Sequence, residues 1–119
     1  IAILDIFKKN LTIDGIFAVN DLTAISAMQT LQKRGVNIPF DIAVVGFSDG
    51  RFSGITDPTL TSVDQHGYEM GSVATEMLLS RISSEFDYPV VKKVLHANLI
   101  VMGSSEIKKL FFFALSANV

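Results

Sequence analysis

Short apolar runs alternate with longer amphipathic stretches along this chain, and the alternation predicts its secondary structure. Continuous apolar runs bounded by polar or glycine residues predict buried strands over residues 16–19, 42–46 and 60–63. Apolar residues at helical spacing predict full helices over residues 22–34 and 68–83. The stripes that define these helices are Leu22, Ile25, Met28 and Leu31, and then Met70, Ala74, Met77, Leu78 and Ile82. Residues 1–9 read as the tail of a helix, and residues 90–101 as two short strands or one bent strand.

The order of these elements predicts the fold class. Strands alternate with helices, which favours an α/β fold with three layers, α/β/α, around a mainly parallel sheet. Gly35 suits the C′ position of the first full helix, and Pro39 prevents that helix from continuing. Gly50, Gly54 and Pro58 leave room for one helical turn at most between the second and third strands.

Composition narrows the kind of protein. The chain has 119 residues, of which 49% are hydrophobic and 18% charged, so we expect one small domain with some apolar surface facing another domain or subunit. The net charge of −2 predicts no general attraction to nucleic acid or an anionic membrane, and no apolar run is long enough to span one. The absence of cysteine excludes disulfides and fits a cytoplasmic location. Because the chain begins at Ile1 rather than Met, we interpret it as a piece of a longer protein.

Short polar side chains follow each predicted strand. Asn20-Asp21 follows the first strand, Ser48-Asp49 the second and Asp64-Gln65 the third. Ligands of open α/β sheets bind beyond the carboxyl ends of the strands, and these side chains can read the hydroxyls of a small polar molecule. Asn20 and Asp21 are also good helix caps; we assign Asn20 to both roles and Asp21 mainly to structure.

The same region suggests an enzyme as an alternative. Gly46-x-Ser48-x-Gly50 matches the nucleophile elbow of α/β-hydrolases, with Asp64 or Asp87 as acid and His96 as base. A nucleophile elbow must lead into a long helix, which the glycines and the proline after Ser48 prevent. His66 and His96 have no partners at metal-ligand spacing. We therefore predict a protein that is not an enzyme and that has no cofactor and no metal site.

Three blocks of the sequence resemble the bacterial repressors of the LacI/GalR family. They are Phe17-Ala18-Val19-Asn20-Asp21-Leu22, then Gly35-Val36-x-Ile38-Pro39-x-Asp41-Ile42-Ala43-Val44-Val45-Gly46-Phe47, then Asp57-Pro58-x-Leu60-Thr61-Ser62-Val63-Asp64-Gln65. The resemblance implies that residues 1–105 are the C-terminal lobe of a two-lobed, periplasmic-binding-protein-like effector domain. It also implies that operator DNA is bound only through an N-terminal domain that this chain lacks. The resemblance does not account for residues 106–119, which include Phe111-Phe112-Phe113.

The resemblance implies a ligand site made of Asn20, Ser48, Asp49 and Gln65. Asn20 and Gln65 match residues that hydrogen-bond effectors in the family. Ser48 lies where sugar-binding members usually have an aspartate, so Asp49 either takes over that role or the effector is a sugar acid rather than a sugar.

The resemblance also implies a homodimer through this lobe. The matching face comprises Ile25, Met28, Gln29, Phe52, Ile55 and Thr56. One lobe of a monomeric periplasmic sugar receptor that serves a transporter is the main alternative function, and a gene remnant is another.

Overall fold

The computed structural model describes residues 2–9, 12–48, 50, 52–84 and 89–106. These residues form α1 (Ala2–Lys8), β1 (Gly15–Phe17), α2 (Asp21–Gln32), β2 (Ala43–Val45), a 3-10 turn (Ser53–Ile55), β3 (Ser62–Asp64), α3 (Gly67–Ser83) and β4 (Asn98–Ile100). From α1 to α3, the predicted elements are present with ends shifted by one or two residues. None of the helices in the described ranges is long and apolar enough to cross a membrane.

Among the described residues, the strands form two pairs that a bridge connects. β1 and β2 are parallel with Ile16 opposite Val44, whereas β3 and β4 are antiparallel with Val63 opposite Leu99. A parallel bridge between Val45 and Thr61 links β2 to the start of β3. The order along the described sheet is therefore β1-β2-β3-β4, and the last pairing is antiparallel rather than parallel. As a result, the carboxyl ends of β1, β2 and β3 lie at one edge.

The core lies between α2 and the β1–β2 pair. Its buried residues are Ala18, Ala24, Met28, Leu31, Ile38, Ile42, Val44 and Leu60. The buried face of α2 follows helical spacing but differs from the predicted stripe: Ala24, Ala27, Met28 and Leu31 are buried, whereas Leu22 is 66% exposed. The small alanines let the helix lie close to β2, and this close contact turns Leu22 and Ile25 toward a neighbouring groove.

The second half of the chain differs more from the sequence-based expectation. α3 matches the predicted range to within one residue but has no buried residue, and Met70, on its predicted apolar stripe, is 46% exposed. Only Asn98–Ile100 of the predicted 90–101 region forms a strand, and Val90 is 92% exposed. Apolar patterning predicts a face that can be buried, but burial also needs a packing partner. Phe111, Phe112 and Phe113 lie outside the described residues.

Candidate functional site

The carboxyl edge of the sheet brings predicted ligand residues together. Gln65 Nε2 donates to the Ser48 hydroxyl over 2.9 Å, which joins the segment after β3 to the loop after β2. The backbone supports this contact, because Ser48 N–H donates to the Val63 carbonyl over 2.9 Å. Asn20 lies in the short connection after β1, immediately before α2. Asp49, the fourth predicted ligand residue, lies outside the described residues.

Asn20 caps α2 with only part of its side chain. Its Oδ1 accepts a hydrogen bond from the Thr23 N–H over 2.9 Å, and its extended backbone, with φ −157°, is typical of an N-cap. Within the described part of the chain, the Nδ2 group makes no hydrogen bond. Asn20 is exposed, so this amide can donate to a ligand hydroxyl while the cap stays intact.

Ser48 has an unusual backbone conformation but not the surroundings of a nucleophile. Its φ of +111° is rare for a residue with a side chain, and such conformations are found where neighbouring contacts hold them in place. The hydroxyl is engaged by the Gln65 amide. Between Ser48 and β3, the described residues form the Ser53–Ile55 turn and none of the long helix that a nucleophile elbow requires. His96 is exposed, and Asp87 lies outside the described residues.

A small polar cluster marks the junction of β3 and α3. His66 is the N-cap of α3 with φ +52°, and its Nδ1 lies 3.0 Å from Asp64 Oδ2. Its Nε2 lies 3.0 Å from Asn98 Nδ2, and Asp64 Oδ1 accepts from the His66 N–H over 2.7 Å. His66 is half-buried at this helix start. These contacts fix the direction in which the chain leaves Gln65.

Sequence reasoning missed the contacts of Asp21, which it treated as a structural cap residue. The Asp21 side chain is buried, and its carboxylate accepts hydrogen bonds from the Gly50 N–H over 2.5 Å and from the Ser62 hydroxyl over 2.6 Å. A Cβ on Gly46 would overlap this carboxylate. The available signal was the Gly46-x-Ser48-x-Gly50 motif, whose small residues permit a close approach, but only the fold brings Asp21 opposite them.

The six residues of the predicted dimer face line a single groove. It has a volume of about 400 Å³ between α2 and the 3-10 turn, and its lining is Leu22, Ile25, Met28, Gln29, Gln32, Phe52, Ile55, Thr56 and Asp57. Met28 is only 2% exposed and forms the floor, whereas Ile55 is 77% exposed at the rim. Gln32 Nε2 donates to the Asp57 carbonyl over 2.7 Å and so connects the two walls. The structure thus places the predicted residues together without showing what covers them.

A second groove separates α3 from the segment before β4. It has a volume of about 520 Å³, and its walls are mostly apolar, with Phe47, Met77 and Leu95 among them. Gln65 also lines this groove, which therefore borders the predicted ligand site.

Comparison with known proteins identifies the domain. A family model described as a periplasmic binding protein-like domain matches residues 5–105. The HTH-type transcriptional regulator CelR of Thermobifida fusca is 33% identical over 103 residues, which are 87% of this chain and 30% of the relative. The chain thus spans less than a third of that relative's length.

Two solved structures have the same fold. The "transcriptional regulator CelR-cellobiose complex" has a TM-score of 0.81 and 33% identity, covering 87% of this chain and 32% of that chain. A LacI family transcriptional regulator from Arthrobacter sp. FB24, in complex with lactose, has a TM-score of 0.78 and 27% identity, covering 88% of this chain and 40% of that chain. The match to the family model and these likenesses together place the chain: it belongs to the periplasmic binding protein-like domain family, in the form carried by LacI-type transcriptional regulators.

Proposed function

We propose that residues 1–105 are the C-terminal lobe of a sugar-sensing effector domain in a LacI-type transcriptional regulator. The observation that carries this proposal is the edge of the sheet, where the Gln65–Ser48 hydrogen bond and the Asn20 side chain both follow strand ends. Among the described residues, the Asn20 Nδ2 group has no hydrogen-bond partner. Amide and hydroxyl groups at such an edge suit a ligand rich in hydroxyls. The solved relatives bound to cellobiose and lactose support the same ligand class.

The proposed mechanism is a shift between lobe arrangements. A sugar or sugar acid contacts Asn20, Ser48, Asp49 and Gln65 on this lobe and further groups on an upstream lobe. If the ligand binds the closed arrangement more tightly than the open one, it moves the population toward the closed form. A DNA-binding domain of the complete cytoplasmic regulator then reads this shift, and the lobe needs no catalytic group or cofactor.

The exposed apolar face of α3 fits this arrangement. A helix of 17 residues without a buried residue is only marginally stable in water, because a helix is stabilised mainly by packing its apolar face. We assign the cover of this face, and the completion of three layers around the sheet, to the upstream lobe.

The test is a sugar titration of the chain followed by amide NMR, with cellobiose, lactose and gluconate as probes. We expect shifts confined to Asn20, Ser48, Gln65 and their neighbours, with Kd on the order of millimolar because half the cleft is missing. Amide shifts caused by gluconate but not by cellobiose or lactose would identify a sugar-acid sensor. No shift at these residues with any of the three probes would contradict the assigned site.

The matched variant is Asn20→Ser. Serine caps helices about as well as asparagine, so stability should change little while the ligand-facing amide is lost. We expect the sugar-induced shifts to weaken by about tenfold in affinity, as for one lost hydrogen bond to a ligand. Unchanged binding with an intact helix would remove Asn20 from the ligand site.

A further inference from the structure

We infer that Asp21 is a positioning residue that fixes the loop after β2 and thereby sets Ser48 at the edge of the sheet. The importance of that loop to the effector rests on the proposed function, whereas the positioning itself does not. The loop is held from two sides, by Asp21 at Gly50 and by Gln65 at Ser48.

The two oxygens of the Asp21 carboxylate serve two different segments. Oδ2 accepts from the Gly50 N–H over 2.5 Å, and Oδ1 accepts from the Ser62 hydroxyl over 2.6 Å. Asp21 itself begins α2 and is only 5% exposed. One side chain therefore connects the start of α2, the loop after β2 and the start of β3.

Capping does not explain this arrangement. Asn20 already caps α2 by accepting from Thr23 N–H. Burying a carboxylate is costly unless hydrogen bonds compensate the loss of water, and here the compensating donors come from outside the helix. The side chain of Asp21 thus makes tertiary contacts, although the N-terminus of α2 also favours its negative charge.

The Gly46-x-Ser48-x-Gly50 motif has a physical explanation in this contact. Gly46 passes so close to Asp21 that a Cβ there would overlap the carboxylate and lie 3.1 Å from Leu60 Cδ2. At Gly50, a Cβ would lie 3.3 Å from Asp21 Oδ2, which is tighter than an ordinary contact. The glycines that resemble a nucleophile elbow allow the loop to pass over the carboxylate and direct an N–H toward it.

Two hydrogen bonds, Gly50 to Asp21 and Gln65 to Ser48, hold the strained backbone of Ser48 in place. A residue with φ of +111° needs surrounding contacts to hold it, and without them the loop would relax to a common conformation. The Gly50–Asp21 bond holds the far side of Ser48, and the Gln65 amide holds its hydroxyl. Loss of the Gly50–Asp21 bond should make the backbone at Ser48 more mobile without removing any group that contacts ligand.

The test measures amide hydrogen exchange by NMR in the 119-residue chain. Gly50 lies outside the helices and strands, so its amide should be protected only through Asp21, by about tenfold or more relative to an unstructured amide. In Asp21→Ala, we expect exchange at Gly50 and Ser48 to accelerate at least about tenfold more than exchange at the buried amide of Val44. The ratio to Val44 corrects for a general loss of stability.

Two further variants separate positioning from general structure. Asp41→Ala removes another bond from a backbone N–H to a carboxylate, Asn37 N–H to Asp41 Oδ2 at 2.7 Å, at an exposed position on the connection that leads into β2 from its other end. It should leave the Gly50 to Val44 ratio unchanged. Asp21→Asn can offer Oδ1 to Gly50 and Nδ2 to the Ser62 oxygen, so it should restore most of the protection. It also replaces Asp21→Ala if that variant does not fold.

The outcomes are distinct. The positioning role would be overturned if the Gly50 amide is unprotected in the unmodified chain. It would also be overturned if Asp21→Ala leaves the ratio of Gly50 exchange to Val44 exchange unchanged, or if Asp41→Ala changes that ratio equally. If Asp21→Ala does not fold, the ratio is measured in Asp21→Asn, whose neutral amide oxygen accepts a weaker hydrogen bond than a carboxylate. A partial loss of Gly50 protection relative to Val44 then supports the role, and a ratio equal to that of the unmodified chain overturns it. Sugars that fail to shift the unmodified chain while Asp21 still controls Gly50 would contradict only the proposed function.

Discussion

The hydroxyl groups of two buried residues, Ser104 and Thr61, join the end of the described chain to its sheet. Ser104 is fully buried, and its hydroxyl accepts from the Thr61 N–H over 2.8 Å and donates to the Val44 carbonyl over 2.5 Å. Its backbone carbonyl accepts from the Val44 N–H over 2.9 Å. Thr61 adds a second link, because its hydroxyl contacts both the N–H and the carbonyl of Met102. Residues 102–105 therefore complete the pairing of β2 and β3 with side chains as well as backbone.

Ser104→Ala tests this role at the scale of one residue. It leaves a buried N–H and a buried carbonyl without the Ser104 hydroxyl, so we expect the free energy of unfolding to fall by about 2 kcal/mol. The measurement is urea unfolding followed by circular dichroism. Ser80→Ala, at an exposed position on α3, is the control and should change stability by less than about 0.5 kcal/mol. Equal effects of the two substitutions would contradict the assigned role of Ser104.

The two full helices, α2 and α3, have similar sequence patterns but differ in how they are packed. α2 buries Ala24, Met28 and Leu31 against the sheet, whereas α3 buries none of its residues. Ile82, on the apolar stripe of α3, is 71% exposed. The sequence could predict both helices because spacing and caps are local properties. It could not predict their packing, which depends on what lies opposite each face.

The difference predicts unequal stability within one chain. A helix without tertiary packing is only marginally stable in water, so amides of α3 should exchange at least about tenfold faster than those of α2. Hydrogen-exchange mass spectrometry on peptides from residues 67–83 and 21–32 gives the comparison, with β2 as a protected reference. Equal protection of the two helices would mean that the isolated chain covers α3 in solution.

At the scale of the whole molecule, the groove between α2 and the 3-10 turn is the candidate subunit face. Phe52 and Ile55 are 52% and 77% exposed on one wall, and half-buried Ile25 lies on the other. Exposed apolar residues that line one concave surface are typical of a protein interface. The resemblance to dimeric repressors predicted these residues, and the fold brings them together.

Light scattering of the chain and two charge variants tests the subunit face. We expect a dimer that Ile25→Asp or Ile55→Asp separates, because burying an unpaired carboxylate in an interface costs several kcal/mol. Ser26→Asp, an exposed position on α2 that does not line the groove, should leave the dimer intact. Circular dichroism checks that each variant is folded.

The alternative outcomes for the subunit face are specific. A monomer in every case would remove this face and favour the lobe of a monomeric transport receptor. A dimer that neither groove variant affects would point to association through α3 or through residues 106–119.

The sequence by itself determined the local features of this protein. Apolar runs and helical spacing predicted α1, β1, α2, β2, β3 and α3 to within about two residues, because these patterns reflect backbone geometry over a few neighbours. Polar residues at the strand ends predicted where Asn20, Ser48 and Gln65 would lie, because parallel strands bring their carboxyl ends to one edge.

Only the tertiary structure decided which distant groups meet. The antiparallel pairing of β4, the buried alanine face of α2 and the exposed face of α3 depend on neighbours far away in the chain. The same holds for Asp21, whose partner Gly50 lies 29 residues away. Local patterns state which side chains can be buried or hydrogen-bonded, but the partner is chosen by the packing of whole elements, which one segment of sequence does not contain.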